Sequence, residues 1–198
     1  MSAALVGLVG YIANRRIEEY KAKIQIQQQR RQAYSQLRGV EYILSQSYAN
    51  HYVSFIYAIY YNHRSLLADN PSERSNYEEK AREWKQKSDE SVMEIAKNNQ
   101  SLWELIGFIE TVFSPTEELR DFINNLENYR ESFEEEFGIK DLSEDEELGG
   151  EEIKDADELW NACSMMIDDV LKHTDEMIET PIDNLLEYLM KEIQPNSS

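Results

Sequence analysis

The chain has 198 residues and a formal net charge of −19, with 39 Asp and Glu against 20 Lys and Arg. This acidity argues against a protein that binds nucleic acid over its whole surface, and the single cysteine excludes an internal disulfide framework. Seven glycines and four prolines are few for this length, and the missing alternation of β-branched residues predicts an all-α fold.

The charge is divided unevenly along the chain. Residues 1–97 carry 14 basic and 11 acidic side chains, whereas residues 98–198 carry 6 basic and 28 acidic ones. The basic excess is concentrated between Arg15 and Arg38, where seven basic side chains accompany two acidic ones. This pattern predicts two ends that contact different partners or pack against each other, and it identifies no reaction.

Residues 3–13 contain no charged side chain. As a helix they would cover roughly 17 Å, whereas a membrane span needs ~20 apolar residues. Three interpretations stay open: the end of an anchor that begins upstream, a segment lying at the membrane interface, or a helix that packs through its small residues in a homo-oligomer. We expect the residues in contact with a membrane or partner to be Leu5, Val6, Leu8, Val9, Ile12, Arg15, Arg16, Lys21 and Lys23.

The first 70 residues contain no proline and predict one very long helix. Unbroken over residues 3–68, it would be roughly 100 Å long, more than the ~40–45 Å diameter of a compact domain of this size. We therefore expect either a break near Gly39 or an N-terminal part that projects from the body.

Side-chain chemistry indicates which part of this helix would project. Residues 48–61 are apolar or aromatic all round, which predicts a central core helix over 40–67. The Gln- and Arg-rich sequence leaves almost no apolar stripe over 14–36, which predicts a solvated basic stalk. The chain accordingly divides into an apolar tip and basic helical stalk, 1–38, and an acidic helical bundle, 39–198.

Three proline-containing sequences predict helix starts. Each places a capping side chain before Pro and an acid two residues after it, which suits the free amides and positive end of a helix. They are Asn70-Pro71-Ser72-Glu73, Ser114-Pro115-Thr116-Glu117 and Thr180-Pro181-Ile182-Asp183. Amphipathic stripes follow each start, Gly138 is predicted to end the third helix, and an acidic loop over 144–152 precedes the fourth. The predicted fold is an elongated N-terminal helix leading into an antiparallel bundle of about four to five helices.

Acidic residues of the predicted fourth helix are the candidate metal ligands. Carboxylates spaced along a helix can hold Mg²⁺ against a phosphate, as in helical nucleotide hydrolases. Glu151-Glu152-x-x-Asp155 partly resembles the pattern of the all-α nucleotide pyrophosphohydrolases, which calls for Glu in the last place and for a second Glu-x-x-Asp; this chain has neither. A solvated acidic face is the favoured interpretation. The alternative is a metal-dependent hydrolase whose ligands are Glu151, Asp155, Glu158, Asp168 and Asp169.

The other chemical candidates have structural interpretations. Cys163 occupies a core position of its stripe, which predicts an inert buried thiol. Asp169 and His173 stand one turn apart and could share a metal, although surface pairs of this kind are commoner. Nine of the twelve tyrosines precede residue 62. Most of these lie on the helix that we expect to be enclosed, which favours core packing over a platform for stacked nucleobases.

The sequence therefore predicts a non-catalytic interaction or scaffold protein without a cofactor. Its tip and stalk would position the bundle at a membrane surface or in an oligomer, and we expect a cytoplasmic location or the cytoplasmic face of a membrane. We expect a protein partner or self-association, with membrane contact through residues 1–16. Two alternatives stay open: the hydrolase above, and a weak nucleic-acid contact through Arg15–Arg38.

Overall fold

The computed structural model describes residues 3–136 and 156–194, and within them the chain is all-α. Side chains are described from Tyr11 onward, apart from residues 12–13 and 129–136. The helices are α1 (Ala3–Leu67), α2 (Pro71–Val112), α3 (Glu117–Glu136), α4 (Ala156–Thr174) and α5 (Thr180–Ile193). A π-helical turn, Asp175–Glu179, joins α4 to α5 without a break. The described residues thus form four helical rods.

Helix α1 runs through 65 residues without interruption, about 98 Å at 1.5 Å per residue. The break considered near Gly39 is absent, and a Cβ added at Gly39 would meet no atom within 4 Å. Of the two expectations for this segment, a helix whose N-terminal part extends beyond its partners is therefore the one observed.

Helices α1 and α2 form a long antiparallel hairpin. In the contacting pairs, residue numbers rise along α2 as they fall along α1, as expected for two antiparallel helices in contact from end to end. In order from the closed end, these pairs are Arg64 with Tyr77, His51 with Ser88, Tyr48 with Asn99, and Arg30 with Val112.

The α4–α5 rod packs along another side of α1, and α3 covers α5 and the π-helical turn. The core lies between these rods. Its fully buried side chains come from every element, among them Leu37, Ile109, Leu119, Leu159 and Leu189. The apolar stripe predicted for the last helix is buried throughout, from Ile182 to Ile193.

The predicted start of α2 is confirmed, and that of α3 is displaced. Asn70 Oδ1 accepts a hydrogen bond from the amide of Glu73 at 2.8 Å, with Pro71 as the first helical residue. In α3 the capping side chain is Thr116 rather than Ser114, because its Oγ1 accepts from the amide of Leu119 at 3.0 Å. The Thr116 hydroxyl also lies 2.7 Å from the Tyr188 hydroxyl of α5, and this contact fixes the cap against the bundle.

The start predicted at Thr180-Pro181 is wrong, because the chain is already helical there. Proline lacks an amide donor, and its ring clashes with the carbonyl four residues earlier. The π-helical turn accommodates this: the Thr180 amide donates to the carbonyl of Asp175, five residues back instead of four. Pro181 is thus tolerated inside one continuous rod.

The solvated part of α1 is shorter than predicted. Side chains over residues 14–26 are all exposed, but within the predicted stalk partial burial begins at Gln27, and Ala33 is fully buried. Basic residues here do not all face water, because Arg30 is half-buried against the end of α2. The predicted helix end at Gly138 and the acidic loop over 144–152 lie outside the described residues.

Candidate functional site: the exposed segment of α1

Residues 14–26 of α1, here called the exposed segment, all have exposed side chains, and no helix among the described residues buries them. Tyr11, one turn earlier, is exposed as well. Of the predicted contact residues, Arg15, Arg16, Lys21 and Lys23 lie in the exposed segment. The other predicted contact residues (Leu5, Val6, Leu8, Val9 and Ile12) are in α1, but their side chains lie outside the described set.

Arg30 marks the point where α1 meets the bundle. Its Nε donates to the carbonyl of Val112 at 2.9 Å, and its guanidinium lies 5.0 Å from the ring centroid of Phe113. The last carbonyls of a helix have no partner within the helix, so Arg30 stabilises the end of α2. Sequence reasoning assigned Arg30 to the solvated stalk and missed this contact, for which the only signal was an aromatic residue directly before Ser-Pro.

At the other end of the hairpin, aromatic rings stack on one another and are covered by cations. Tyr57 stacks on Trp84 with centroids 4.7 Å apart, and Tyr61 stacks on Tyr77 at 6.3 Å. Lys87 lies 3.9 Å above the Trp84 centroid. These ring faces are therefore occupied within the chain, which agrees with the core-packing interpretation of the tyrosines. From His51 to Tyr61 no side chain is exposed.

His51 is the centre of a buried polar contact between α1 and α2. Its Nδ1 lies 2.9 Å from Ser88 Oγ and 3.1 Å from the Ser88 carbonyl oxygen. Because a carbonyl can only accept, Nδ1 carries the proton of the neutral ring. Burial lowers the pKa of His51 below 6.5, against smaller opposing effects of the Ser88 backbone and of Asp89. This histidine is a structural residue that fixes the register of the hairpin.

An acidic cluster lies where α1 meets the π-helical turn and α5. Burial raises the pKa of Glu41 to about 7, helped by the nearby charges of Asp183 and Glu179 and opposed by Arg38. The Ser45 hydroxyl donates to Glu179 in the same place. Sequence reasoning missed this cluster, because its two halves, represented by Ser45 and Glu179, lie 134 residues apart and meet only through tertiary packing.

The predicted metal ligands that the structure describes do not form a cluster. Glu158, Asp168 and Asp169 are exposed on α4, and Glu151 and Asp155 lie outside the described residues. His173 Nδ1 lies 2.8 Å from the backbone carbonyl oxygen of Asp169, one turn earlier on α4. The described part of the chain contains no group of three or more His, Cys, Asp or Glu side chains that could hold a metal ion.

A cavity beside Asn99 is too small to hold an organic ligand. This cavity has a volume of about 20 Å³ and is lined by Tyr48, Leu102, Met177 and other core residues. It has room for about one water molecule. Cys163 is buried as predicted, and burial raises the pKa of its thiol, which disfavours the nucleophilic thiolate.

Comparisons with protein families, with curated proteins and with solved structures found no match. Within residues 3–136 and 156–194, no helix has a stretch that is both long enough and apolar enough to cross a bilayer.

Proposed function

We propose that this chain is a non-catalytic scaffold protein whose first helix positions an acidic helical bundle at a membrane surface. Residues 3–13 enter the interfacial layer of the membrane, and the basic residues that follow contact anionic headgroups. Because basic residues follow the apolar stretch, the bundle lies on the cytoplasmic side.

The observation that carries this proposal is the exposed segment, which belongs to the same unbroken helix as the core. It extends about 20 Å beyond the last packed turns at 1.5 Å per residue. Its side chains are exposed over more than three turns, so tertiary contacts with the described residues add little stability there. Its continuity with the clamped part of α1, from Ala33 onward, holds it in a fixed direction.

Charge orients the approach to the membrane. Residues 14–31 carry six basic and two acidic side chains, whereas residues 98–198 carry a net charge of −22. An anionic surface attracts the first region and repels the second. The molecule therefore approaches with the N-terminal end of α1 first, and residues 3–13 contribute apolar contact without spanning the bilayer.

Vesicle flotation tests this proposal. The full chain and a variant lacking residues 1–14 are mixed with vesicles of phosphatidylcholine, with or without phosphatidylserine, and floated through a density gradient. We expect the full chain to float with the anionic vesicles and the shortened chain to stay at the bottom, and we expect added salt to weaken binding.

The shortened chain is a suitable control because the packed part of α1 begins only after residue 26. Its circular dichroism and thermal midpoint should match those of the full chain. Equal recovery of both chains in the protein-only fraction, at low salt and with anionic vesicles, would count against a membrane role.

A further inference from the structure

One side of the exposed segment carries large apolar side chains. Ile17, Tyr20 and Ile24 follow one another at steps of three and four, and they are 51%, 66% and 41% exposed. At 3.6 residues per turn, these three positions fall within an arc of about 60°. We call this side the Ile17–Ile24 face.

Cations border this face, and the acids point away from it. On a helical projection Arg16 and Lys23 lie along one edge of the Ile17–Ile24 face, and Lys21 lies along the other edge. Glu18 and Glu19 lie more than about 120° from its centre on the same projection. On that far side Glu19 accepts from Arg15 at 3.0 Å. The Ile17–Ile24 face is therefore apolar with cationic edges.

We infer that the Ile17–Ile24 face is a binding surface for anionic lipid: its apolar side chains contact the acyl region, and Arg16, Lys21 and Lys23 reach the headgroup phosphates. This inference rests on the proposed membrane function and adds which side of α1 touches the lipid. Long basic side chains at the edges of an apolar face suit this geometry, since their stems lie along apolar material and their charges stay in the headgroup layer.

A lipid surface fits this face better than a second copy of the chain does. Two copies packed through the Ile17–Ile24 face would bring the cationic edges of both against each other, in either relative direction. Residues 3–13, which precede the face, contain no charge at all. A lipid surface can contact both residues 3–13 and the Ile17–Ile24 face with its cationic edges, whereas a partner helix would cover only one side of α1.

A matched pair of isoleucines tests the inference. Ile24 and Ile26 are two residues apart, are 41% and 44% exposed, and lie on opposite sides of α1. In flotation with phosphatidylserine-containing vesicles, we expect Ile24→Asn to lower partitioning roughly tenfold. We expect Ile26→Asn, which changes the far side, to lower it less than about twofold.

The cationic edge has its own test. Lys21→Gln and Lys23→Gln should each lower partitioning about fivefold on anionic vesicles, the equivalent of ~1 kcal/mol per basic residue, and should have little effect on pure phosphatidylcholine. Lys85→Gln, which removes an exposed lysine from α2, serves as the matched control and should leave partitioning unchanged. Thermal melts of each variant show whether the bundle is intact.

The outcomes separate the inference from the function on which it rests. If the unaltered chain does not float, the membrane function itself is wrong. If it floats but Ile24→Asn and Ile26→Asn behave alike, the Ile17–Ile24 face is not the lipid surface, and the function stands. A dimer in sedimentation velocity that Ile24→Asn dissociates, with vesicle binding unaffected, would assign the face to a second copy and overturn the inference.

Discussion

Replacing Arg30 by glutamine is the sharpest test of how α1 is fixed to the bundle. Arg30 reaches from α1 to the end of α2, where its Nε donates to the Val112 carbonyl at 2.9 Å and its guanidinium lies over the Phe113 ring. Glutamine keeps part of the stem but is too short and uncharged, so the variant loses both contacts while α1 remains helical.

The expected cost follows from these two contacts. A hydrogen bond from a charged donor contributes ~1.5–3 kcal/mol, and the lower end applies because this one is only partly buried. The cation–π contact adds about 0.5–1 kcal/mol at a site of this exposure. We therefore expect Arg30→Gln to lower the free energy of unfolding by ~2 kcal/mol, which for a chain of this size lowers the thermal midpoint by roughly 4–8 °C.

Urea titration followed by circular dichroism measures this cost. Arg31→Gln is the matched control, because Arg31 is the next residue on α1 and is exposed; its effect should stay within about 0.5 kcal/mol. Hydrogen exchange should also show faster exchange in the last turn of α2 for Arg30→Gln alone. Equal stability of the two variants would show that Arg30 does not clamp the hairpin.

Three further changes test the interior. Ionisation of Glu41 destabilises the fold, because its pKa is about 7 instead of 4.5. The protonated carboxyl group makes its full contribution to the free energy of unfolding below pH 4.5, and this contribution is lost as the pH rises through 7. Glu41→Gln should therefore be the more stable chain at pH 8 in urea titrations, and a larger loss at pH 8 than at pH 5 would contradict this. His51 is held neutral, so its contribution is present above pH 6.5 and is lost as the pH falls below that value; His51→Gln should flatten the decline in urea midpoint between pH 7 and pH 5, and an unchanged decline would rule the residue out. Leu189→Ala empties a fully buried site and should cost about 2–5 kcal/mol in urea titrations, whereas the exposed Leu66→Ala should cost less than about 0.5 kcal/mol; similar losses would mean that the core lies elsewhere.

Local sequence signals predicted this fold well where a single residue determines where a helix begins. Asn70 caps α2 because its side chain meets an amide three residues away, and that contact needs no tertiary information. The stretch from residue 48 to 61, which is mostly apolar or aromatic, likewise predicted its own burial, and within it only Asn50 is exposed. The same local logic failed at Thr180, because a proline marks a helix start only where the preceding residues are not already held in a helix by packing.

The contacts that could not be predicted join distant parts of the chain. Arg30 lies in a Gln- and Arg-rich sequence that predicts a solvated helix. Its hydrogen-bond partner, the carbonyl of Val112 at the end of α2, is 82 residues away in the chain. Glu41 appears in the sequence as one acid beside Arg38, and only the return of the α4–α5 rod places Glu179 and Asp183 near it. For the exposed segment, the sequence predicted that basic side chains would be exposed there, whereas the residue at which exposure ends could not be predicted.

A distance between spin labels on α1 tests the central claim that the exposed segment and the packed part of α1 form one unbroken helix. Labels at Lys21→Cys and Gln46→Cys, with Cys163→Ser, lie at exposed positions on nearly the same side of α1. A continuous helix predicts one narrow distribution near about 38 Å. A broad distribution, or a peak well below 30 Å, would mean that α1 bends near Gly39 and folds back on the bundle, contradicting the claim.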